Sequence, residues 1–562
     1  MAFLFMIALL TALSILVLTG SQISGISVDE ELHMLFFRGL PWASDPSREN
    51  VFAVHGLSFQ LLSHVSAVVL GIEPLGQVAV NSQGFAIRHI VTALLTIATA
   101  LLVGGTVRLI TASRLLGAWS AVALLAIPPF LGHGFFNPKD IPVAFGFTGF
   151  TFLSVLVLQK LLFVRLVPLY ELIGAFFIGA FSVWIAVGTR FGVFYLLVPS
   201  IALVLTVIWW LTRRPRQNPN MRRLFFLFFG SIATGLLAVA LTNPCIVANS
   251  SPNCRYGLEL LPRLIAGVTG FPWPHESFLA GRLVNGTDPD FWYLPVALVA
   301  GLPIGLALLG AFGFVFFWEN HSLNESHVHE NLVRNYRWIY AVLVMPVVLQ
   351  FCVGPLAAIL LRSTLYDSQR QHLYVYPAVV IFSSLGLLLL YQKVSEWLSQ
   401  GYATTITCIV ALGVLCFPIY ESLRLFPYTY AYVNPLATVN GWVKSWETDY
   451  WGTAHREALR FVPEGANLEV AVSYWTVVPY LAEPRPPGTV DNAREKYVIQ
   501  WHRVGWGDGK PPQECELVHT VKRRLRGEDL PMAYVSKCPI DYPSGSLADY
   551  KQMALQKPYL AQ

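Results

Sequence analysis

The stretch GISVDEELH (residues 25–33) follows the first long apolar run of the chain and carries Asp29, Glu30, Glu31 and His33. Three consecutive carboxylates directly after an apolar run are costly to place at a membrane surface. Ionisable residues at membrane level are candidates for function, because little else justifies their desolvation. We therefore expect one of these carboxylates to act as a base, with later polar loops converging on it.

The composition indicates a polytopic membrane protein. Of 562 residues, 55% are hydrophobic and only 13% are charged, which is unusual for a soluble domain. A membrane-spanning helix needs ~20 apolar residues. We interpret the first run as a retained helix, because no basic residues precede it. The eleven predicted spans are 3–24, 85–107, 115–131, 141–159, 168–188, 191–211, 224–242, 291–317, 338–361, 373–391 and 402–420.

The basic residues predict the orientation of the spans. Residues 51–72 are apolar but interrupted by His55, Gln60 and His64, so we interpret them as one or two helices on the membrane surface. The N-terminus and the basic loop 212–223 are then cytoplasmic, as the positive-inside rule requires. If residues 51–72 spanned the membrane instead, every later loop would switch sides. The loops predicted on the outer face are 25–50, 132–140, 188–190, 243–290 and 361–372.

The composition changes after the last span. Residues 437–562 are rich in Trp, Tyr, Pro and charge, and runs at 468–472 and 496–500 alternate like strands. We expect a mainly α membrane domain (1–436, with a catalytic loop at 25–84) and a small extracytoplasmic α/β domain (437–562). The net charge of +5 arises largely in short loops, so it indicates topology and not a nucleic-acid partner.

Four of the seven cysteines form two pairs close in sequence. Cys245 and Cys254 share one loop, and Cys515 and Cys538 share the C-terminal segment. If both segments are extracytoplasmic, both pairs are candidate disulfides. No Cys/His spacing typical of a metal site appears, and neither does a nucleotide-binding motif. A nucleotide-driven enzyme is therefore not expected. A sugar donor used outside the cytoplasm would have to be lipid-linked, because sugar nucleotides are not available there.

Asp29 and Glu30 allow two interpretations. One carboxylate can take the proton of an acceptor hydroxyl during glycosyl transfer, while its neighbour holds the acceptor or a divalent cation. Alternatively, Asp29 caps a surface helix. The two interpretations are compatible.

Cationic residues on the predicted outer face suit a lipid phosphate. Arginine neutralises phosphate with bidentate hydrogen bonds, and lysine acts as a point charge. Their position opposes the positive-inside bias, which favours function over headgroup binding. The candidates for binding the donor phosphate are Lys139, Arg190, Arg362, Arg370 and His372. The candidates for other substrate contacts are His33, Arg88, His89, Asn137, Asp140, Trp273, His275 and Glu276.

Taken in order, these motifs resemble the GT-C superfamily of polytopic glycosyltransferases, nearest to the protein O-mannosyltransferases and the aminoarabinose transferases. The resemblance covers most of residues 1–460. No clear MIR-type repeat domain is present, so the acceptor stays open. The matching features are Asp29-Glu30 after the first span, Arg88-His89, FFNPKDIP (135–142), the turn at Arg190, DPDFWYLPVAL (288–298), Arg370-Gln371-His372 and DYWG (449–452).

The resemblance implies an inverting transferase with a polyprenyl-phosphate sugar as donor. Asp29 would be the base, with Glu30 as the alternative, and Lys139, Arg370 and His372 would hold the donor phosphate. The acceptor would be a hydroxyl on a lipid, glycan or protein at the outer face of a bacterial cytoplasmic membrane. A divalent metal is an open possibility. A transporter or flippase of lipid-linked saccharides is the alternative, and it predicts charged or broken helices near the bilayer midplane.

Overall fold

The computed structural model describes residues 2–30, 56–75, 81–163, 167–213, 220–242, 276–319, 330–470, 476–488, 491–504 and 510–542. Within these ranges the chain is mainly helical, with a two-stranded hairpin and a four-stranded sheet. Several residues singled out from the sequence lie outside them, namely Glu31, His33, Cys245, Cys254, Trp273 and His275.

The helices follow one another from the N-terminus to the start of the C-terminal sheet. They are α1 (Ala2–Ile23), α2 (Ser58–Val69), α3 (Ser82–Thr111), α4 (Arg114–Leu125), α5 (Pro128–His133), α6 (Asp140–Leu162), α7 (Leu169–Thr189), α8 (Val198–Thr212), α9 (Met221–Thr242), α10 (Tyr293–Ala300), α11 (Ile304–Glu319), α12 (Glu330–Leu360), α13 (Val375–Trp397), α14 (Gln400–Leu425) and α15 (His455–Leu459). The strands are β1 (Glu276–Leu279), β2 (Arg282–Asn285), β3 (Leu468–Val470), β4 (Glu495–Trp501), β5 (Glu516–Leu525) and β6 (Glu528–Pro539).

Nine helical segments in the described part of the chain are long and apolar enough to cross a membrane. They coincide with nine of the eleven predicted spans, so the polytopic helical fold is confirmed. The other two predicted spans are interrupted. α4 ends at Leu125 and α5 begins with Pro128 and Pro129, and α10 meets α11 at 116° across residues 301–303, which end in Pro303. Proline lacks the N–H that would continue a helix.

Small residues let α11 and α13 pack closely. A Cβ added to Gly313 would lie 2.0 Å from the carbonyl oxygen of Phe382, and one added to Gly386 would lie 2.2 Å from that of Leu309. Helices in membranes associate through such close backbone approaches, because apolar side chains gain little by leaving lipid. This close packing fixes the position of α13, which begins just after residues 370–372.

The apolar segment 51–72 contains no spanning helix in its described part. Its helix α2 has 12 residues, which is too short to span a bilayer. The Gly56 N–H donates to the Thr189 carbonyl oxygen at 3.0 Å, and the hydroxyls of Ser58 and Thr242 lie 3.3 Å apart. The helix therefore lies against the ends of α7 and α9.

The C-terminal sheet has the strand order β3-β4-β6-β5. The β3–β4 pair is parallel, and the β4–β6 and β5–β6 pairs are antiparallel. The strands predicted at 468–472 and 496–500 are observed as β3 and β4. The predicted disulfide between Cys515 and Cys538 is present and joins the ends of the β5–β6 hairpin.

The C-terminal residues are packed against the turn that follows α1. The Val28 N–H donates to the Trp451 carbonyl oxygen at 3.0 Å, and Arg456 donates to the Gln22 carbonyl oxygen at 2.6 Å. A Cβ on Gly25 would lie 2.1 Å from the carbonyl oxygen of Thr453. Only glycine fits at this approach, which fixes the carboxylates of residues 29 and 30 relative to the C-terminal segment.

Candidate active site

Asp29 lies where three distant segments of the chain meet. Its Oδ2 is 2.9 Å from Arg370 Nη1 and 3.3 Å from Lys139 Nζ. The Asp29 side chain is 17% exposed, whereas those of Lys139 and Arg370 are 6% and 2% exposed. The predicted convergence of the polar loops is therefore observed at this residue. The result is a partly accessible carboxylate beside two buried cations.

The turn before α6 orients Lys139. Asn137 Oδ1 accepts hydrogen bonds from the backbone N–H groups of Lys139 and Asp140, at 3.0 and 2.9 Å. Asn137 Nδ2 donates to Asp140 Oδ2 at 2.8 Å, and Arg190 Nη2 contacts Asp140 Oδ1 at 2.6 Å. Asp140 also lies in the first turn of α6, where the helix dipole favours a carboxylate. Asn137 and Asp140 thus fix Lys139 and Arg190 beside one another.

Arg370 enters the cluster from a short 3-10 helix before α13. Its Nη2 contacts Asp367 Oδ2 at 2.8 Å, while its Nη1 reaches Asp29. Its guanidinium carbon lies 4.3 Å from the ring centroid of Trp451 and 4.6 Å from that of Tyr366. Aromatic faces attract a cation, more strongly when it is desolvated. These contacts hold the guanidinium group of Arg370 in one orientation.

Burial and charge decide which side chains of the cluster are cationic. Burial lowers the pKa of Lys139 and Asp29 opposes that shift. Burial also lowers the pKa of Arg370, but Asp367 and Asp29 outweigh it and raise that pKa well above its usual value. Burial lowers the pKa of His372 to about 3, so this ring is neutral. Arg370 is therefore the permanent charge, and His372 offers hydrogen bonds only.

Three buried polar atoms of the cluster have no hydrogen-bond partner in the described part of the chain. They are Arg370 Nε, Arg190 Nε and His372 Nδ1. Buried donors without partners are uncommon in folded proteins. Two of these three atoms are arginine N–H donors suited to phosphate oxygens.

The C-terminal segment adds residues to the cluster that the sequence did not reveal. Arg503 Nη2 contacts Asp367 Oδ1, and Arg503 Nε lies 3.2 Å from Glu447 Oε2. The Tyr450 hydroxyl lies 3.1 Å from His133 Nε2. Tyr450 belongs to the DYWG motif (449–452), which is one of the features of the GT-C resemblance. No local pattern in the sequence marks Arg503 or Asp367.

Within that motif, Asp449 makes a structural turn. Its Oδ1 accepts from the N–H groups of Trp451 and Gly452 at 2.9 and 2.8 Å, and from the Tyr430 hydroxyl at 2.6 Å. Its Oδ2 accepts from the Ala454 N–H at 2.9 Å. The turn directs Trp451 toward Arg370.

Glu30 and His89 form a buried pair of their own. Glu30 Oε2 accepts hydrogen bonds from the Ser27 N–H and hydroxyl at 2.7 and 3.0 Å, and its Oε1 lies 2.9 Å from His89 Nε2. His89 Nδ1 lies 3.0 Å from the Ser21 carbonyl oxygen. These bonds join the turn after α1 to α3. Of the two adjacent carboxylates, Asp29 is the one that faces the cations.

Three other predicted site residues lie outside the cluster around Asp29. Arg88 contacts buried Glu73 at 3.0 Å. Arg362 is 77% exposed and contacts Asp288 at 3.4 Å. Glu276 is exposed at the start of β1. The structure thus separates Arg362 from Arg370, although both belong to one predicted loop.

The described residues around Asp29 do not fit a divalent cation. No group of three or more His, Cys, Asp or Glu side chains in the described ranges is arranged to hold a metal ion. Asp29 Oδ2 contacts the cations Lys139 and Arg370, and their positive charge opposes a metal ion there.

No protein-family model matches the chain, and no curated protein matches it. The chain is similar in structure to ArnT from Cupriavidus metallidurans in the apo state, with 11% identity over 94% of this chain and 97% of that one and a TM-score of 0.43. The same protein bound to undecaprenyl phosphate gives 13% identity, the same coverage and a TM-score of 0.41.

The archaeal oligosaccharyltransferase AglB from Archaeoglobus fulgidus, in complex with an inhibitory peptide and a dolichol-phosphate, is also similar. It gives 10% identity over 98% of this chain and 78% of that one, with a TM-score of 0.47. With TM-scores below 0.5, the chemistry of the site has to be inferred from this chain's own residues.

Proposed function

We propose that this chain is an inverting glycosyltransferase of the membrane, which moves a sugar from a polyprenyl-phosphate donor to a hydroxyl acceptor. The observation that supports it best is the shared contact of Asp29 with Lys139 and Arg370. Such a transfer needs a base for the acceptor proton and positive charge for the departing phosphate. The cluster supplies both within one hydrogen-bonded group.

In the proposed reaction, Lys139 and Arg370 bind the phosphate of the donor, with the free Nε of Arg190 close to it. Asp29 takes the proton of the acceptor hydroxyl while the oxygen of that hydroxyl bonds to the anomeric carbon. The bond from that carbon to the phosphate oxygen breaks, and its electron pair leaves with the phosphate. A single displacement of this kind inverts the anomeric centre. General-base help is typically worth roughly 10²–10⁴-fold.

The position of the cluster supports a lipid-linked donor. Its residues lie at helix ends or in the short turns beside them, where a lipid headgroup would arrive. Under the positive-inside rule this end faces away from the cytoplasm. Sugar nucleotides are absent on that outer side. We assign the reaction to the outer face of the cytoplasmic membrane, with the N-terminus inside and the C-terminal sheet outside. The sugar and the acceptor (lipid, glycan or protein) are open.

The transporter alternative is less well supported. It requires charged residues or broken helices that expose backbone to a substrate near the midplane. One broken pair, α10–α11, is present, but Asn434 Nδ2 already donates to the carbonyl oxygens of Val299 and Leu302 at 2.8 and 3.1 Å. Arg108 of α3 and Lys160 of α6 lie in the last turns of those helices, and Asp140 lies in the first turn of α6.

The test is transfer from radiolabelled polyprenyl-phosphate sugars by the purified protein in nanodiscs. We expect turnover by the wild type and its loss in Asp29→Asn, with the donor still bound. Asp529→Asn is a matched control, because this exposed carboxylate pairs with Lys522 on the β5–β6 hairpin. Absence of turnover with every donor, together with protein-dependent movement of the lipid-linked sugar across vesicles, would replace the proposal by the transporter.

A further inference from the structure

Arg503 is a buried cation that the proposed reaction does not use directly. It follows strand β4, and its side chain is 1% exposed. Its Nη1 donates to the carbonyl oxygen of Tyr450 at 3.0 Å, and its guanidinium carbon lies 5.0 Å from the Trp501 ring centroid. A buried arginine is costly to desolvate unless it is paired. Its carboxylate partners therefore indicate why it is there, and one of them is Asp367.

Asp367 connects Arg503 to the candidate active site. Its Oδ1 is contacted by Arg503, and its Oδ2 is 2.8 Å from Arg370 Nη2. The carboxylate is 4% exposed. A carboxylate that meets a guanidinium group at each oxygen is held in one orientation, because charge-assisted hydrogen bonds are directional as well as strong. The orientation of Asp367 therefore depends on both arginines.

The backbone at Asp367 is fixed from another direction. Asp367 and Ser368 have φ angles of 56° and 61°, in the left-handed region that residues other than glycine seldom adopt. The Asp367 N–H donates to the Ser277 hydroxyl at 3.2 Å, and the Ser368 N–H donates to the Tyr293 hydroxyl at 3.1 Å. With the backbone held by β1 and α10, the remaining freedom of Asp367 is in its side chain. Arg503 removes that freedom.

From these contacts we infer that Arg503 is a positioning residue, which fixes the guanidinium of Arg370 through Asp367. Arg370 uses one terminal nitrogen for Asp367 and the other for Asp29. Without Arg503, both oxygens of Asp367 would be available to Arg370, whose guanidinium would turn toward them and away from Asp29. The inference rests on the proposed function, and it makes the C-terminal segment a working part of the site.

The experiment uses the full chain in nanodiscs with four variants: Arg503→Gln, Arg503→Lys, Asp367→Asn and the double variant Arg503→Gln/Asp367→Asn. Arg494→Gln is the matched control, because this arginine lies just before the same strand and is 87% exposed. Four quantities are measured: the Kd for undecaprenyl phosphate, the kcat of sugar transfer, its KM, and the temperature of unfolding. The Arg494→Gln control is expected to match the wild type in all four.

We expect Arg503→Gln to lower kcat/KM by about 10²-fold, the loss that a misplacement of about 1 Å produces. Arg503→Lys should recover part of the loss, because an ammonium group keeps one contact with Asp367. The double variant should be no worse than the more impaired single variant, since both changes interrupt the same connection.

Three results would overturn the inference while leaving the proposed function intact. The first is an Arg503→Gln protein that transfers sugar at the wild-type rate. The second is a double variant whose loss in kcat/KM is the product of the two single losses. The third is equal inactivity of Arg503→Lys and Arg503→Gln in parallel with lowered unfolding temperatures, which would show a purely structural role. A wild type that neither binds undecaprenyl phosphate nor transfers sugar would remove the proposed function, and this inference with it.

Discussion

Replacing Asp29 by Asn should separate sugar transfer from binding of the donor. The amide has nearly the same shape as the carboxylate, but it does not accept the acceptor's proton. We expect transfer to fall by about 10²–10⁴-fold, the usual contribution of a general base. Donor binding should change in the opposite direction, because Asp29 competes with the donor phosphate for Lys139 and Arg370.

The size of the gain in binding follows from the contacts of Asp29. Its Oδ2 lies 2.9 Å from Arg370 Nη1 and 3.3 Å from Lys139 Nζ. A hydrogen bond to a charged group contributes about 1.5–3 kcal/mol net. Because about 1.4 kcal/mol corresponds to a factor of ten, release of one such bond should tighten binding of undecaprenyl phosphate by roughly tenfold or more.

The assay compares the wild type, Asp29→Asn and the Asp529→Asn control in nanodiscs. Binding of undecaprenyl phosphate is titrated at equilibrium, and transfer is followed with a radiolabelled donor. Thermal unfolding shows that each variant is folded. The reasoning fails if a folded Asp29→Asn protein binds the lipid phosphate more weakly than the wild type. It also fails if that variant still transfers sugar within about threefold of the wild-type rate, since a lost general base costs far more.

The remaining predictions concern Lys139 and the supports of the site. Lys139→Gln should weaken binding of undecaprenyl phosphate by at least about tenfold through loss of a charged hydrogen bond, whereas Lys393→Gln, at an exposed pair with Glu396, should leave it unchanged in the same titration. Since burial lowers the pKa of Lys139, lipid-phosphate affinity should decline as the pH rises through that lowered value, and Lys139→Arg should abolish the decline. Gly25→Ala should lower both the unfolding temperature and the transfer rate, because its Cβ would meet a carbonyl oxygen at 2.1 Å. Loss of the Cys515–Cys538 disulfide by double serine substitution should lower stability by about 2–4 kcal/mol, measured by thermal unfolding.

Contrary results would be informative for the predictions on Lys139 and Gly25. Equal effects of Lys139→Gln and Lys393→Gln would mean that the phosphate binds elsewhere. A persistent alkaline decline in Lys139→Arg would assign the titration to another group. Wild-type stability in Gly25→Ala would mean that the turn after α1 can move away from the C-terminal segment.

Hydropathy alone predicted most of the helical fold. In the described part of the chain, nine helices coincide with predicted spans, because a bilayer requires about 20 apolar residues for each crossing. The two interruptions were missed because a window average conceals a short break. Pro128, Pro129 and Pro303 were visible in the sequence: the first two begin α5, and Pro303 ends the break at which α10 and α11 meet at 116°.

The sidedness of the loops predicted part of the candidate site. Asp29, Lys139 and Arg370 were named from charge in loops on one predicted face, and the structure brings them into contact. Composition cannot rank residues within one loop, however. Arg362 and Arg370 look alike in sequence, but one is largely exposed and the other is buried.

The contact between Arg503 and Asp367 was beyond sequence reasoning. The two residues are 136 positions apart, and no periodicity or short motif relates them. Asp367 lies in the predicted outer loop 361–372, but its left-handed backbone is held by contacts with β1 and α10. Only the tertiary structure brings such groups together.

The close approach of Gly25 to Thr453 has a consequence for the biosynthesis of the protein. The turn after α1 leaves the ribosome well before the residues that pack against it, which follow position 440. The carboxylate of Asp29 meets its cationic partner Arg370 across 341 positions of sequence, and Arg503 comes later still. The nascent chain therefore cannot assemble the candidate site until this segment has been made, and we expect a chain that terminates before Arg503 to insert into the membrane without transferring sugar.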